Sequence, residues 1–337
     1  MIFKSMCRYS FGMLLMVLSP VTGHGEFLGS GLSQSVEQAL GATVGVLRQN
    51  EEKDQMGTQA HFAVRGSGFH YRDGYVVTAR HAVEQLEGSN TVIPDEITIL
   101  TGKLEEFRAR LIGVNAFLDL TVYRISHQAF QPSLPNVSFA EEKVATGDEV
   151  FTVGYPLGWG PAIGFGRLGN LNTFLPTVQT RLMQVDLSAC SGNSGGGLFN
   201  AKGEVVGMVH AIIQTETHQD ERRCSRLAFA VPGQLVRRIV NAVIDGLHPG
   251  FPRIGINMTA VRVGARWRVA VDAVSGPAKS AGILKGDILI SIDDVEIISA
   301  AHLKNYLIEH KAPGQQVILR VLRGTEEKFI SVTLGSA

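Results

Sequence analysis

The sequence predicts a mainly β protein, built from a long β-rich region and a smaller α+β unit at its C-terminal end. Three observations carry that expectation. Short β-branched runs recur from about residue 42 to 231, broken by Gly, Asp, Asn and Pro, a pattern that fits antiparallel barrels or a sandwich. A stretch with apolar residues at helical spacing, 234–244, closes this region. The segment 246–252, bearing Gly and Pro, then leads into a last block, 253–337, where strand and helix patterns alternate.

Taken in order, residues 32–40 predict a short helix and 42–47 a first strand. Further strands are expected at 75–78, 97–100, 120–123, 149–153 and 205–209, each a β-branched run between turn residues. The helix at 234–244 rests on Leu235, Val236, Ile239, Val240 and Val243. The last block reads strand 267–271, short helix 278–281, strand 288–292, helix 300–309, then strands 316–321 and 329–334. No internal repeat or low-complexity tract interrupts the chain.

With 337 residues, 45% of them hydrophobic, the chain is long enough for more than one core. Lys+Arg and Asp+Glu number 31 each, so no net charge draws it to nucleic acid or anionic lipid. No basic run with interleaved aromatics occurs, which argues against a nucleic-acid partner. At the N-terminus, Lys4 and Arg8 precede the apolar stretch 11–18, with Pro20, Thr22 and Gly23 behind it. That stretch is too short for a membrane span and suits a secretory signal over 1–25, with an N-terminal anchor as the alternative. A periplasmic or secreted protein is the expectation. Cys7 falls inside the signal, leaving Cys190 and Cys224 as a pair that could bridge in an oxidising compartment or stay as two thiols.

The chemistry is carried by three short segments. Gly192-Asn193-Ser194-Gly195-Gly196 sets a serine among glycines, where few side chains crowd it and backbone N–H groups stand close. Such a turn alone is ordinarily just a turn. Upstream, His81 follows the strand pattern Tyr75-Val76-Val77-Thr78, and Asp119 sits among Phe117, Leu118 and Leu120, where an unpaired carboxylate would be costly. Each signal is weak by itself. Together, in the order His, Asp, Ser, they predict a nucleophilic serine, a histidine base and an aspartate that orients it. Gly192 and Ser194 would supply the oxyanion-hole N–H groups.

These residues resemble a known family. Thr78-Ala79-Arg80-His81, Asp119-Leu120-Thr121-Val122 and Gly192-Asn193-Ser194-Gly195-Gly196 are similar to the motifs of chymotrypsin-fold serine proteases, in particular the HtrA/Deg branch. Gly66-Ser67-Gly68-Phe69, Val153-Gly154-Tyr155-Pro156-Leu157-Gly158 and Leu227-Ala228-Phe229-Ala230-Val231-Pro232 match in the same order. The resemblance implies a chymotrypsin-like double six-stranded β-barrel over 26–245, a linker over 246–252 and an α+β PDZ domain over 253–337. Ser191 and Gly197 depart from the family's usual prolines, which bears on how rigidly the oxyanion hole is held.

The resemblance extends to the pocket and the last domain. It places Ser188 at the base of the specificity pocket and Val209, His210 and Ala211 along one wall. The absence of an acid at the base favours small or aliphatic residues over Lys or Arg before the scissile bond. His210 reads as wall packing or as a pH-sensitive contact. Cys190 stands where digestive relatives carry a bridged cysteine, which makes Cys224 its expected partner. In the last block, Ser275-Gly276-Pro277-Ala278 and Gly286-Asp287-Ile288-Leu289 look like a bacterial PDZ domain. Ile254, Gly255 and Ile256 would then form the carboxylate loop for peptide C-termini, with Leu303 and Leu307 on the groove wall or simply in the core.

The polar run His218, Asp220, Glu221, Arg222 and Arg223 reads as a solvated loop, its spacing matching no metal site. No cofactor is expected, since the nucleophile and oxyanion donors are all protein groups. The resemblance further implies an ATP-independent endopeptidase acting on unfolded or exposed polypeptide segments, assembled as a homotrimer with Phe27 as a candidate contact. Two alternatives stand beside it. One is a resting-inactive protease acting mainly as a peptide-binding or chaperone protein. The other is a signalling protease with a single substrate.

Overall fold

The computed structural model describes residues 27–49, 62–87, 89–126, 134–173, 180–212, 224–247 and 250–336. The signal expected over 1–25 and the polar run at 218–223 lie outside them, as does the side chain of Phe27. A helix, α1 (Phe27–Ala42), leads into the first barrel. It begins five residues earlier than the apolar spacing alone suggests.

The first barrel contains β1 (Thr43–Gln49), β2 (Phe62–His70) and β3 (Tyr75–Ala79), then the single-turn helix α2 (Arg80–Val83). A small hairpin, β4 (Gln85–Glu87) and β5 (Asn90–Val92), stands outside the wall. The chain returns through β6 (Glu96–Thr101), β7 (Glu106–Asn115) and β8 (Leu120–Ile125). These strands close in the order β1-β2-β3-β8-β7-β6. The alternating burial of β6, with Ile97, Ile99 and Thr101 inward, is what a wall with one face on a core requires.

The second barrel uses β9 (Glu149–Gly154), β10 (Ala162–Thr173), β11 (Leu182–Cys190), β12 (Gly197–Phe199), β13 (Val205–Ile212) and β14 (Cys224–Pro232). It closes in the order β10-β11-β14-β13-β12-β9. The helix α3 (Gly233–Ile244) follows, and its buried residues are the apolar set expected from its spacing together with Gly233. Those side chains join Val77, Leu120 and Val122 of the first barrel and Phe199, Val205 and Met208 of the second in one continuous core. The barrels therefore meet over a shared apolar interface.

The last unit contains β15 (Pro252–Arg253), β16 (Ile256–Val263), β17 (Arg266–Val274), α4 (Gly276–Ser280), β18 (Ile288–Ile292), β19 (Val295–Glu296), α5 (Ala300–His310), β20 (Gln316–Arg323), β21 (Glu326–Thr333) and β22 (Gly335–Ser336). Its sheet runs β16-β17-β18-β20-β21, which leaves β16 as an edge strand. Leu303 and Leu307 lie buried in this unit's own core, 1% and 6% exposed. The segment expected as a linker is packed at its end, because Phe251 stacks on Phe117 with ring centroids 4.0 Å apart.

One buried residue ties the two barrels together at the serine loop. Ser67 of β2 is fully buried, and its N–H and hydroxyl both cross to the second barrel while its carbonyl is held within the first. Its N–H donates to the Ser194 carbonyl at 2.8 Å, and its carbonyl accepts the Thr78 hydroxyl at 2.6 Å. Its own hydroxyl donates to the Gly192 carbonyl at 2.6 Å and accepts from the Tyr155 N–H at 2.8 Å. Removing that hydroxyl leaves a carbonyl and an N–H unpaired inside the joint. Ser67→Ala is expected to destabilise the fold by about 2–4 kcal/mol, at roughly 1–3 kcal/mol per orphaned group. Urea unfolding checks this, and a midpoint equal to that of the unsubstituted protein would count against the strap.

Candidate active site

The site forms where α2, the turn before β8, the loop between β11 and β12, and β13 converge. His81 sits on the single turn of α2, directly after a buried strand, so its ring projects from the end of the first barrel. Asp119 occupies the turn before β8 with φ +54°, a backbone state that short polar residues tolerate better than most. The turn is fixed by Leu118 N–H donating to Asn115 Oδ1 at 2.9 Å and by Arg80 N–H donating to the Asp119 carbonyl at 2.8 Å. His81 Nδ1 hydrogen-bonds Asp119 Oδ2, and the His81 N–H donates to Asp119 Oδ1 at 3.1 Å.

Ser194 lies half-buried in a loop whose glycines are required by geometry. Gly192 has φ +102°, and a Cβ there would stand 2.2 Å from the Tyr155 carbonyl oxygen. Gly195 has φ +85°, and its Cβ would meet the Ser67 carbonyl oxygen at 2.3 Å. Both positions exclude a side chain. The loop's N–H groups divide into two sets. Those of Asn193, Gly195 and Gly196 donate to Cys190 O at 3.0 Å, Val209 O at 2.7 Å and Asn193 O at 3.0 Å. The N–H groups of Gly192 and Ser194 have no acceptor among the described residues. The Ser191 carbonyl is held by Leu157 N–H at 2.6 Å, which sends the trans-related Gly192 N–H the opposite way.

The Ser194 hydroxyl donates to the carbonyl of His210 at 3.1 Å, and among the described residues no hydrogen bond joins it to His81. His210 itself was read from sequence as pocket wall or pH-sensitive contact. Its ring is 5% exposed, with Nδ1 3.1 Å from Asp119 Oδ2, and it meets the His81 ring edge-on with centroids 5.5 Å apart. Asp119 therefore serves two imidazoles. Burial pushes its carboxyl up, but the His210 imidazole close to Oδ2 and the hydrogen-bonded His81 imidazole outweigh this and hold it well below the usual carboxylate range. Arg80 Nε adds a longer contact, 3.6 Å from Oδ1, while pairing with Glu84 at 2.7 Å.

The remaining predicted residues fall in several places. Val209 is buried on β13, where Ala211 pairs with Phe229 of β14. Ser188 is exposed on β11. Cys190 and Cys224 oppose each other across β11 and β14, and a disulfide joins them. In the last unit, Ile254 is buried and its carbonyl accepts from Ala278 N–H at 2.8 Å, while the Gly255 carbonyl accepts from Ser275 N–H at 2.7 Å. The N–H groups of Ile254 and Gly255 have no acceptor among the described residues. Ile256 opens the edge strand β16. A separate hollow of about 510 Å³, lined by Leu32, Phe165, Arg167, Asp186 and Arg226 among others, includes none of these residues. Sequence reasoning missed Ser67, quoted only as part of a motif, and the contact of His210 with Asp119.

His81, Asp119 and His210 also bring three metal-ligand types within 4.8 Å of one another. Here the His81 ring hydrogen-bonds Asp119 Oδ2, and His210 Nδ1 stands 3.1 Å from the same oxygen. Chemically, a loop hydroxyl held on the His210 carbonyl, an imidazole braced by a carboxylate, and two uncommitted N–H groups on the hydroxyl's own loop are the groups that attack on a carbonyl and stabilisation of the resulting oxyanion require.

Two closed six-stranded antiparallel barrels carrying this constellation between them define a chymotrypsin-like fold. Residues 66–208 match the trypsin-like peptidase domain family and residues 252–334 the PDZ domain family. The chain therefore carries a trypsin-like peptidase domain followed by one PDZ domain, and its curated relatives are named serine endoproteases of the DegP and DegS kinds. It is 27% identical to a probable periplasmic serine endoprotease DegP-like of Halomonas elongata, over 92% of this chain and 64% of that protein. It is 29% identical to the serine endoprotease DegS of Escherichia coli, over 77% of this chain and 73% of that protein. The chain spans between half and two thirds of the length of the DegP-like relatives it matches. Among solved structures, the HtrA-type protease AlgW with tripeptide superposes with a TM-score of 0.71 at 22% identity, covering 91% of this chain and 97% of that one. This last likeness is one of fold. No helix among the described residues is long and apolar enough to cross a membrane.

The depressed Asp119 carboxyl has a consequence for stability. A group held below its unfolded value stabilises the fold above the ordinary carboxylate range, and the effect is lost as pH falls toward the folded value. Thermal melts of the unsubstituted protein and Asp119→Asn are therefore expected to differ most near neutral pH and to converge below about pH 4. A gap that stays constant from pH 7 to 3 contradicts the charged hydrogen-bonded state.

Proposed function

We propose that this chain is an exported, ATP-independent serine endopeptidase that cleaves exposed or unfolded polypeptide segments. In this reading Ser194 is the nucleophile, His81 its base and Asp119 the group that fixes the His81 tautomer and stabilises its cation. The Gly192 and Ser194 N–H groups form the oxyanion hole. The single observation that carries the reading is the convergence of this triad with two loop N–H groups that no protein acceptor takes. Catalysis then requires the Ser194 hydroxyl to swing from the His210 carbonyl to His81, a rotation about one side-chain bond.

That parked hydroxyl also supports a second reading, an enzyme at rest until a ligand shifts it. The edge strand β16 and the free N–H groups of Ile254 and Gly255 fit a peptide C-terminus added by β-augmentation, with its carboxylate on those N–H groups. The Cys190–Cys224 bridge, tying the serine loop's entry to β14, suits an oxidising compartment and agrees with the signal-like N-terminus.

The test is cleavage of fluorescent casein, with and without C-terminal peptides, alongside labelling by diisopropyl fluorophosphate. The protein is expected to gain the phosphoryl adduct on Ser194, and Ser194→Ala to lower cleavage by on the order of a millionfold. Casein cleavage by purified Ser194→Ala at the unsubstituted rate overturns the assignment. Cleavage that appears only with added peptide selects the resting form.

A further inference from the structure

We propose that His81, Asp119 and His210 form an inhibitory site for a divalent transition-metal ion, Zn2+ foremost. The ion would take the place of the hydrogen bond between His81 and Asp119. Binding rests on the geometry alone, and its effect on catalysis rests on the endopeptidase reading above. One ligand atom from each residue lies within 4.8 Å of the other two. His210 Nδ1 and Asp119 Oδ2 are 3.1 Å apart. Two ligands of a tetrahedral Zn2+ with bonds of about 2.0–2.1 Å stand roughly 3.3 Å from each other, so this pair is already spaced as a metal pair is.

Two of the three ligands are held in place by the fold. The pairing of β13 with β14 slips between Val209 and Ala211, and such a bulge re-aims the residue it contains, here His210. Val209, just before it, is pinned to the serine loop by Gly195 N–H on its carbonyl at 2.7 Å and by its own N–H on Gly196 O at 2.9 Å. Asp119 is buried, with the Arg80 N–H on its carbonyl at 2.8 Å and the His81 N–H on Oδ1 at 3.1 Å. His81 is the movable ligand. Its Nδ1 hydrogen-bonds Asp119 Oδ2, which leaves no room for an ion between them. Its side chain is 40% exposed on the single turn of α2, so the ring can back away toward solvent and admit one.

The donor set selects the ion. Two imidazole nitrogens and one carboxylate oxygen suit Zn2+ and its first-row neighbours, whereas Ca2+ and Mg2+ call for oxygen ligands. Asp119 is an anion at neutral pH, because its carboxyl is held well below the usual range. Arg80 Nε stands 3.6 Å from Oδ1, but its guanidinium pairs with Glu84 at 2.7 Å, so the cluster keeps the negative charge of Asp119. A metal on His81 Nδ1 sends that nitrogen's proton to Nε2, with no net loss from the ring. Nε2 is the nitrogen that has to accept the Ser194 proton, so the base is blocked. The Ser194 hydroxyl meanwhile keeps its bond to the His210 carbonyl.

The test begins with calorimetric titration of the chelator-stripped full chain. Zn2+ is expected to bind at one site lost in the variants, and Ca2+ and Mg2+ to give no binding heat. His210→Ala and His81→Ala are each expected to weaken Zn2+ by more than the roughly 10–100-fold that a lost outer-shell partner costs a metal site. At free Zn2+ about tenfold above its Kd, diisopropyl fluorophosphate labelling of the unsubstituted protein is expected to fall about tenfold, and a chelator to restore it. No saturable Zn2+ binding, or affinity unchanged in both variants, overturns the proposal. Zn2+ binding that leaves the labelling rate of an active protein unchanged overturns it as well.

Because His210→Ala could fail to fold, X-ray absorption at the zinc edge of the Zn2+-loaded unsubstituted protein supplies a second measurement. Two imidazole ligands are expected, and fewer than two overturn the proposal. Inertness of the chelator-stripped protein toward casein and diisopropyl fluorophosphate overturns the endopeptidase reading alone. The metal site then stands or falls on the calorimetry and the absorption spectrum.

Discussion

The serine loop owes its shape to the first barrel, although its residues belong to the second. Ser67 holds the Ser194 and Gly192 backbone from β2, and the same hydroxyl takes the Tyr155 N–H from the end of β9. A loop of consecutive glycines has little intrinsic preference for one conformation, so its order must come from outside. The outside constraint is a set of hydrogen bonds in a fully buried setting, where each is costly to leave unmade. With Gly192 O and Ser191 O both engaged, the loop's remaining N–H groups at Gly192 and Ser194 have a defined direction.

Asp119 performs the corresponding task for the other half of the site. A carboxylate among Leu118, Leu120 and the wall of β13 would ordinarily be unstable as an anion. Two imidazoles and a backbone N–H reverse that balance, so the burial that penalises the charge also strengthens the contacts that hold it. The barrel interface thus carries an anion flanked from both sides, hydrogen-bonded by His81 of the first barrel and approached to 3.1 Å by His210 of the second.

His81, Asp119 and Ser194 stand out in the sequence because each breaks a local rule: Asp119 is a charge inside an apolar run, His81 follows a strand of buried residues, and Ser194 sits among glycines. Strands with uniform β-branched composition, such as β3, β8 and β18, were equally readable. β10 was not, since Gly164, Gly166 and Gly169 leave few side chains to mark its faces, and β7, although Phe107, Ala109 and Leu111 alternate with Glu106, Arg108 and Arg110, lacks the β-branched run that marks the other strands. The roles of Ser67 and His210 were unreadable for a different reason. Each depends on a contact more than ninety residues away or on a register slip set by the facing strand, and neither leaves a local trace.

Leu303 and Leu307 show how one spacing can serve two readings. Leucines at i and i+4 mark one helix face, and a groove wall and a core face produce the same pattern. In α5 that face is buried in its own domain, yet a second face is buried too. Ile308 joins the core shared by the two barrels, Asn305 Oδ1 accepts Arg181 N–H at 2.8 Å, and the Glu309 carboxylate pairs with the Arg181 guanidinium. Arg238 of α3 donates to the Ile308 carbonyl from the other side. A helix with two buried faces has weak amphipathic contrast, which is why its pattern pointed to only one of them. Its packing is also what joins the domains. Displacing α5 from the sheet that β16 edges would pull at once on the β10–β11 region, through Arg181, and on the helix that closes the barrels, through Arg238.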